Sequence, residues 1–534
     1  MATPAPSAAV DAMLSTPVPA ADMLIVMPLV LSFLFGSVLL MVRKRVEWHG
    51  WISVPGFALV FAADVALLFK VATGGPFTMM MGSWRAPFGI AFTLDLMGAL
   101  FLATAGFVAL AAAIFAVVSV DRQEKRYGFF PFLFLMMGGV SGAFVTGDIF
   151  NLYVWFEVLL IGSFGLLVLG SRHAQLDGTT KYAFLNLVGT TLFLIAVAYL
   201  YGVFGTLNMA DIARQAADRT ENGAVATIAM LFLVAFAMKA AAFPLNAWLP
   251  ASYHTPRFVV SALFAGLLTK VGVYALIRVL VMLFPAQHAG MAGIVAWIAG
   301  LTMMTGALGA LAQTDIRRLL NYVVIAGIGT VFAGLAIPQA VGAAPGALAS
   351  GLSGAIFYAL HSIVVMTALY LAAGVIARRT GASTLETVGG LWRESPLLSA
   401  LCLVFLLAVS GLPPFSGFWP KVMLVRAAFA AELPWLAAAI LVSGLILTIA
   451  SARVFAFAFW RPLPQAGGTD TEKSGDFNAS VPEHPAPLLP LVALAAFVLA
   501  AGVWPEWLSR LTTAAADGVV NPTAYIQSVF GGGA

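Results

Sequence analysis

Charged side chains inside apolar stretches are the residues of this sequence that could carry out chemistry. Residues 235–256 read AFAMKAAAFPLNAWLPASYHTP and place Lys239 five residues before Pro244. A lysine at membrane depth is costly unless it has a partner or a water-filled cavity. A proline there frees a backbone carbonyl, which is tolerated mainly where the broken helix faces protein or water. The combination predicts a hydrated, titratable site inside a helix bundle. The alternative is a lysine that reaches the membrane interface beside a kinked helix.

A carboxyl group in a second apolar stretch is the expected partner of this lysine. Residues 147–165 read GDIFNLYVWFEVLLIGSFG and bury Glu157, with Tyr153 one turn earlier on the same helix face. A Glu157–Lys239 pair would titrate as a unit, so a proton that arrives nearby could open or close it. The alternative is a static ion pair that fixes two helices, although such a pair is a poor source of stability. Asp148 lies at the outer end of the stretch, as an interfacial group or an access residue.

A third stretch carries two more basic groups on one helical stripe. Residues 261–281 read SALFAGLLTKVGVYALIRVLV, in which Lys270, Tyr274 and Arg278 recur every four residues. Lys270 falls near the middle of the apolar run, which predicts a proton relay. Arg278 falls near its outer end, where we expect an interfacial anchor. Tyr274, between them, is a secondary candidate.

Two later stretches complete the set. His361 is the one acidic or basic group within residues 354–375, and its ordinary pKa near 6.5 suits a proton shuttle. The alternative is a hydrogen-bonded core histidine. Residues 410–421 read SGLPPFSGFWPK, so Pro413 and Pro414 predict a helix break and Lys421 follows it.

These side chains form a series spread along the chain, which predicts a lateral proton path near the membrane midplane through amines, imidazole and intervening water. The predicted proton-transfer residues are Glu157, Lys239, Lys270, His361 and Lys421. Three further charged residues, Asp64, Lys70 and Asp95, are expected to pair with one another or with loops and receive no transport role.

The composition identifies the class of protein. Of the 534 residues, 61% are hydrophobic and only 9% are charged, against about 25% in soluble domains, so the chain is a polytopic membrane protein. The single Cys402 excludes an internal disulfide framework and a cysteine-ligated iron–sulfur cluster. The six histidines show no metal-binding spacing. We therefore predict no cofactor, no resident metal, no nucleic-acid partner and no enzymatic site.

Apolar runs of about 20 residues, each long enough to cross a membrane, predict fourteen helices. They lie near residues 23–42, 51–72, 90–119, 129–147, 150–170, 182–204, 225–250, 258–283, 291–313, 319–338, 351–377, 397–429, 434–460 and 487–508. The third, eleventh and twelfth runs exceed one crossing, so tilt, overhang or a break is expected there.

Basic residues concentrate in alternate loops, for example at residues 43–45, 122–126 and 317–318. The opposite loops hold only Arg85, Arg214, Arg219 and Arg510. Because basic loops stay in the cytoplasm, this alternation predicts an even number of spans in the bacterial cell membrane, with both termini outside the cytoplasm.

The two proline-interrupted helices, the seventh and the twelfth, suggest an internal repeat, because broken spans at corresponding places in two halves are typical of transporters. We predict an N-terminal three-helix unit, two five-helix repeats, a polar cytoplasmic loop and a last helix with a tail. Their ranges are 1–128, 129–283, 291–460, 461–486 and 487–534. Inverted repeats require an odd number of spans each, which five satisfies.

With these residues in hand, the chain resembles the proton-translocating membrane subunits shared by respiratory complex I and its relatives. The resemblance covers roughly residues 90–460 and rests on Glu157, on Lys239 followed by FPLNAWLPASYHTP, on LLTKVGVYAL around Lys270 and on SGLPPFSGFWPK. Within that family, AVAYLYGVFGTLNMADIA at residues 196–213 is similar to the D subunits of Mrp-type sodium/proton antiporters.

The resemblance implies fourteen helices with two inverted repeats, a Glu157–Lys239 switch, Lys270 as a central relay and Lys421 toward the far end. One position departs from the family pattern: Met366 stands where relatives have a lysine five residues after the histidine. His361 or ordered water would then have to bridge to Lys421.

The implied function is that of a subunit of a secondary antiporter that exchanges cytoplasmic sodium for outside protons, driven by the proton motive force. Its partners would be the other membrane subunits of the same complex. The alternative is a membrane subunit of a redox-driven proton pump, such as complex I or a membrane-bound hydrogenase. Because no cluster of acids and hydroxyls resembles a sodium cage, we expect this chain to carry mainly protons.

Overall fold

A computed structural model describes Met13 and residues 19–219, 223–338, 346–462 and 488–531, and these residues fold almost entirely into helices. We number the helices in chain order. They are α1 Met23–Met41, α2 Glu47–Gly74, α3 Leu96–Ser119, α4 Arg122–Arg126, α5 Phe129–Val145, α6 Ile149–Val168, α7 His173–Phe204, α8 Met209–Ala217, α9 Gly223–Ala240, α10 Trp248–Ser252, α11 Phe258–Leu283, α12 Pro285–Ala312, α13 Ile316–Leu335, α14 Ala347–Thr380, α15 Leu391–Glu394, α16 Pro396–Ser410, α17 Phe418–Ala430, α18 Pro434–Trp460, α19 Leu489–Val503, α20 Glu506–Val520 and α21 Thr523–Phe530.

The prediction of an all-helical polytopic membrane protein is confirmed. Eleven of the described helices are long and apolar enough to cross a membrane, and α19 with α20 makes a twelfth candidate that bends by 81°. The shorter apolar helices Phe129–Val145 and Pro396–Ser410 fall where the fourth and twelfth spans were predicted. Every predicted span thus falls on a helix, while fourteen crossings and their inverted repetition stay predictions.

Local sequence explains where many of these helices begin and end. Proline occupies the first position of α12, α16 and α18, where its missing N–H costs nothing. At the other end, α7, α14 and α16 stop before glycines with positive φ, which close a helix without a Cβ clash. Those glycines are Gly205, Gly381 and Gly411.

The three overlong runs have three different outcomes. The third run begins as a strand, because Ala91–Leu94 pairs antiparallel with Phe77–Met80 (β2 and β1) before α3 starts. The eleventh is one continuous helix, α14. The twelfth is broken between α16 and α17, as the prolines predict.

Two regions outside the predicted spans contain helices. The loop at residues 205–224 holds α8, which Asn208 caps by accepting hydrogen bonds from the Ala210 and Asp211 N–H groups at 3.0 and 3.2 Å. The tail beyond the last predicted span holds α20 and α21. The predicted cytoplasmic loop at 461–486, apart from its first two residues, and the last three residues lie outside the described residues.

The centre of the bundle is formed by α11 and α14, whose most apolar stretches are completely buried, with α13 close to that. The other long helices surround them and keep an outer face exposed. The central position of α11 and α14 matters because they carry Lys270 and His361, so both side chains are removed from the outer surface of the protein.

Candidate proton-transfer site

The first broken helix ends beside Lys239. Helix α9 stops at Ala240, Ala241 takes a left-handed conformation with φ 61°, and the Phe243–Pro244 peptide bond is cis. Side chains bind backbone groups that the break leaves without helical partners. The Trp248 indole N–H donates to the Met238 carbonyl at 3.0 Å, and the Phe243 N–H donates to Thr302 Oγ1 at 2.9 Å. The break is therefore a stable element of the fold that presents Lys239 near a helix end.

The Lys239 ammonium is buried and binds neutral oxygens of α7. Its Nζ donates to Thr190 Oγ1 at 2.6 Å and, more weakly, to the Asn186 carbonyl at 3.4 Å. The ring of Phe156 lies 5.7 Å from the nitrogen. Sequence reasoning missed Thr190, although a polar residue four positions after Asn186 in an apolar helix was a readable signal.

Glu157 lies on α6 at the wall of a cavity of about 440 Å³ between α6 and α7. Thr190 lines the same cavity, and one carboxyl oxygen of Glu157, Oε1, has no hydrogen-bond partner. The structure shows no direct Glu157–Lys239 ion pair; the amine binds oxygens of α7 instead. The carboxylate and the ammonium attract each other at longer range. Thr190, whose hydroxyl accepts the hydrogen bond from the amine, lines the cavity together with Glu157.

The two secondary candidates on α6 have mainly structural contacts. Asp148 caps the helix by accepting a hydrogen bond from the Asn151 N–H at 2.7 Å. Tyr153 is half-buried and packs edge-on against Phe193, with ring centroids 5.7 Å apart. Tyr153 lies one turn before Glu157 on the same helix, as predicted from the spacing.

Lys270 is completely buried on α11, just after a π-helical segment at Phe264–Leu268. Its Nζ donates to the Ala265 carbonyl at 2.7 Å, five residues earlier in the helix. π-helical turns change the α-helical hydrogen-bond pattern and are frequent at functional sites. The irregular turn thus supplies a neutral acceptor to a lysine in the centre of the bundle.

The expectation that Arg278 is an interfacial anchor is wrong. Its side chain is 2% exposed and donates two hydrogen bonds to Asp95, both at 2.7 Å. Tyr274 accepts a third bond from Arg278 at 3.0 Å and donates to the Phe144 carbonyl at 3.0 Å. Asp95, just before α3, neutralises the charge in place of water, so Arg278 needs no contact with the membrane interface.

Lys70 and Asp64, the other two charged residues expected to have no transport role, lie apart from the Arg278–Asp95 pair. Lys70 binds Asp22 at 2.7 Å, so it pairs with the segment before α1 and with neither acid of its own region. Asp64 is completely buried against α3, and neither of its carboxyl oxygens has a hydrogen-bond partner.

The second broken helix brings His361 and Lys421 to one place. Helix α16 ends at Ser410, the Pro413–Pro414 peptide bond is cis, and α17 begins at Phe418. Lys421 Nζ donates to the Ser410 carbonyl at 2.7 Å, so the lysine caps the end of α16.

His361 faces the same break from α14. Its Nδ1 is hydrogen-bonded to Ser416 Oγ at 2.7 Å, while its Nε2 is buried without a partner. The charges of Lys421 and Lys270 both act on the His361 ring. Met366, the position at which the resemblance implies a lysine, is buried on the same helix and offers no titratable group.

The three buried amines have one property in common. Each binds a backbone carbonyl or a hydroxyl, and no carboxylate of the described residues lies within ion-pair distance of any of them. They are Lys239, Lys270 and Lys421. Neutral partners leave each amine free to lose or gain a proton without leaving an uncompensated carboxylate behind.

Comparisons with known proteins identify the family of this chain. Residues 146–447 match the family described as NADH:quinone oxidoreductase/Mrp antiporter, transmembrane. The D-type subunit of the Na(+)/H(+) antiporter of Alkalihalophilus pseudofirmus is 37% identical over 95% of this chain and 99% of its own length. The chain belongs to the NADH:quinone oxidoreductase/Mrp antiporter family.

Two solved structures contain chains with the same fold. A chain of the Mrp complex from Dietzia sp. DQ12-45-1b aligns with a TM-score of 0.85 at 29% identity, covering 96% of this chain and all of that one. A chain of an archaeal membrane-bound sulfane sulfur reductase aligns with a TM-score of 0.82 at 26% identity. The alignment covers 95% of this chain and 99% of that one. The predicted resemblance to D subunits of Mrp antiporters is confirmed.

Proposed function

We propose that this chain is the proton-translocating subunit of a multisubunit sodium/proton antiporter in the bacterial cell membrane, with both termini outside the cytoplasm. The observation that carries the proposal is the set of three buried amines bound only to neutral oxygens. A series of such groups in two broken helices and one π-helical segment suits proton transfer, whereas structural charges in a membrane interior are normally neutralised by a partner.

Protons would pass along the series Glu157, Lys239, Lys270, His361 and Lys421, driven by the proton motive force. No two of these side chains are in direct hydrogen-bond contact, so water has to complete each step. Glu157 and Lys239 act as the switch: a proton bound by the carboxylate weakens its attraction for the ammonium, which favours release of the next proton.

Sodium is assigned to partner subunits or to their interface with this chain. Among the described residues, no three acidic, histidine or cysteine side chains come together as a metal site. The proposed partners are therefore the other membrane subunits of the complex, consistent with the Mrp complex that contains the similar chain of known structure.

A redox-driven proton pump is the second candidate. The similarity to a chain of an archaeal respiratory membrane complex favours this candidate. That chain aligns with a TM-score of 0.82, close to the 0.85 of the Mrp chain. In such a pump the same series of residues would move protons, and electron transfer in partner subunits would supply the energy.

The test is sodium-dependent dissipation of a pH gradient in vesicles that contain the assembled complex. Lys239→Ala and Glu157→Gln are compared with Lys181→Ala, a matched control that removes an exposed lysine paired with Asp177. Assembly is followed by co-purification of the partner subunits. We expect exchange to fall at least about tenfold in the first two variants, with assembly intact, and to stay unchanged in the control.

Wild-type exchange in assembled Lys239→Ala would overturn the role of the amine series. Proton pumping by the unmodified complex that requires an electron donor and ignores sodium would replace the antiporter with the second candidate.

A further inference from the structure

A groove between the start of α2 and the end of α3 combines apolar walls with a charged rim. Its volume is about 710 Å³, and its walls include Trp51, Val54, Pro55, Ile114 and Val118. The groove lies in the N-terminal helices, which contribute none of the five proposed proton-transfer residues. Its chemistry is therefore independent of the proton path.

Three charged residues lie at the rim. Arg122 and Glu47 form an ion pair with side chains 78% and 64% exposed, so water screens the pair and the guanidinium keeps free donors. Lys125 donates to the Val117 carbonyl at 2.6 Å, which holds its ammonium at the C-terminal end of α3. The basic run Arg43-Lys44-Arg45 directly precedes α2, so the rim and its surroundings carry an excess of positive charge.

Exposed tryptophans mark the depth of the rim in the membrane. Trp48 and Trp51 are exposed in the first turns of α2, and the guanidinium of Arg45 stacks on the Trp48 ring at 4.8 Å. Tryptophan is enriched at the level of the lipid headgroups. The charged rim is thus at headgroup depth, while Val54, Pro55 and Ile114 line the part that continues into the hydrocarbon.

We propose that this groove is a binding site for an anionic phospholipid. One acyl chain lies against the apolar walls, and Arg122 and Lys125 bind the phosphate. Basic pockets between transmembrane helices are suited to acidic headgroups, and each nearby lysine or arginine adds to the attraction. Charge complementarity favours this occupant over a zwitterionic lipid, because the cationic end of its headgroup offsets the phosphate charge and weakens the attraction to the basic rim. It also favours a lipid over an apolar partner helix, which would leave the rim charges without partners.

The experiment uses the assembled complex in vesicles that contain a photoactivatable phosphatidylglycerol or, in parallel, a photoactivatable phosphatidylcholine. After illumination, the cross-linked peptides of this chain are mapped by mass spectrometry. We expect phosphatidylglycerol to label α2 and α3 in preference to phosphatidylcholine. Apparent affinity should fall about fivefold in Arg122→Gln or Lys125→Gln and about thirtyfold in the double variant, from the usual contribution of one basic residue near a membrane surface.

Matched variants separate the effect of rim charge on labelling from the effect of groove shape. Arg122→Lys keeps the charge and should retain labelling, whereas Val54→Trp fills the groove and should reduce it without a change of charge. Lys181→Gln with Arg393→Gln removes two exposed basic residues elsewhere and should leave labelling unchanged.

Three results would overturn the proposal. Equal labelling by both lipids would reduce the site to ordinary lipid contact. Unchanged labelling in the assembled double variant would remove the role of the rim. Cross-linking of a photoreactive residue placed at Val54 to a partner subunit, in place of lipid, would show that the groove is a protein interface.

Discussion

Lys270 and Arg278 lie eight residues apart on α11 and are equally buried, but their surroundings are opposite. Arg278 is bound to Asp95 by two hydrogen bonds of 2.7 Å and touches the Tyr274 hydroxyl. Lys270 binds only the Ala265 carbonyl. Burial alone does not distinguish a structural charge from a transport group in this bundle; the partner does.

The chemistry of each pair explains the difference. A guanidinium keeps its proton in a protein, and a bidentate contact with a carboxylate fixes both groups. Neither side of such a pair can give up its charge without leaving the other uncompensated. An amine that donates to a carbonyl has no such constraint, because the carbonyl is neutral before and after the proton leaves. We therefore propose that the Arg278–Asp95 pair serves stability and that Lys270 serves proton transfer.

The largest expected effect comes from breaking the buried ion pair. Asp95→Asn removes the charge that neutralises Arg278, and Arg278→Met leaves Asp95 unpaired. Each should destabilise the complex by about 3–5 kcal/mol, because an uncompensated charge remains buried. The measurement is thermal loss of assembly of the purified complex.

The double variant Asp95→Asn with Arg278→Met is the control for this interpretation. It removes both charges and should recover much of the stability that either single change loses. Losses that simply add would mean that the two residues act separately.

Lys270→Met should give the opposite pattern. The two side chains have similar length, so stability should change by less than about 1.5 kcal/mol, as for other volume-conserving core changes. Sodium-dependent exchange should nevertheless fall at least about tenfold, because a titratable group in the middle of the series is lost. Thermal assembly and exchange are measured on the same preparation. Normal exchange by a stable complex that carries Lys270→Met would place Lys270 with the structural charges.

The sequence was informative wherever a signal is local. Apolar run length located the long helices, and the prolines at 244 and 413–414 located both breaks, because each effect acts within a few residues. The strands Phe77–Met80 and Ala91–Leu94 were missed since four residues are too few for a clear period, and the second strand was merged with the apolar run of α3.

Partners that are distant along the chain could not be predicted. Asp95 is 183 residues from Arg278, and Thr190 is 49 residues from Lys239. Nothing in either local sequence says which helix will face which. The candidate titratable residues were recognisable from residue type in an apolar context, but their partners, which separate anchor from relay, depend on helix packing.

The backbone at the two breaks provides the next test of how an amine is positioned. Gly411 has φ 82°, and a Cβ at this residue would lie 2.6 Å from Lys421 Cδ. Gly411→Ala therefore forces Lys421 away from the Ser410 carbonyl and should cost about 1–3 kcal/mol as well as most of the exchange activity.

At the first break the residue in the same position is an alanine, and its change to glycine should be harmless. Ala241 occupies a left-handed conformation with φ 61°, which disfavours any side chain, so Ala241→Gly should preserve exchange and alter stability by no more than about 1 kcal/mol. Equal exchange in the two variants would contradict the view that Gly411 is required to position Lys421. Both are compared by vesicle exchange and thermal assembly.

A small effect is also expected where the residue that caps the broken helix is not the residue proposed to carry the proton. At the first break the Trp248 indole N–H donates to the Met238 carbonyl at 3.0 Å, whereas at the second the Ser410 carbonyl is bound by Lys421 itself. Trp248→Phe keeps an aromatic ring but removes one hydrogen bond, so the complex should lose about 0.5–1.5 kcal/mol and retain exchange close to normal. If exchange instead falls as far as in Lys239→Ala, the indole hydrogen bond is needed to position Lys239. Capping of the broken helix would then be coupled to the position of the amine at both breaks.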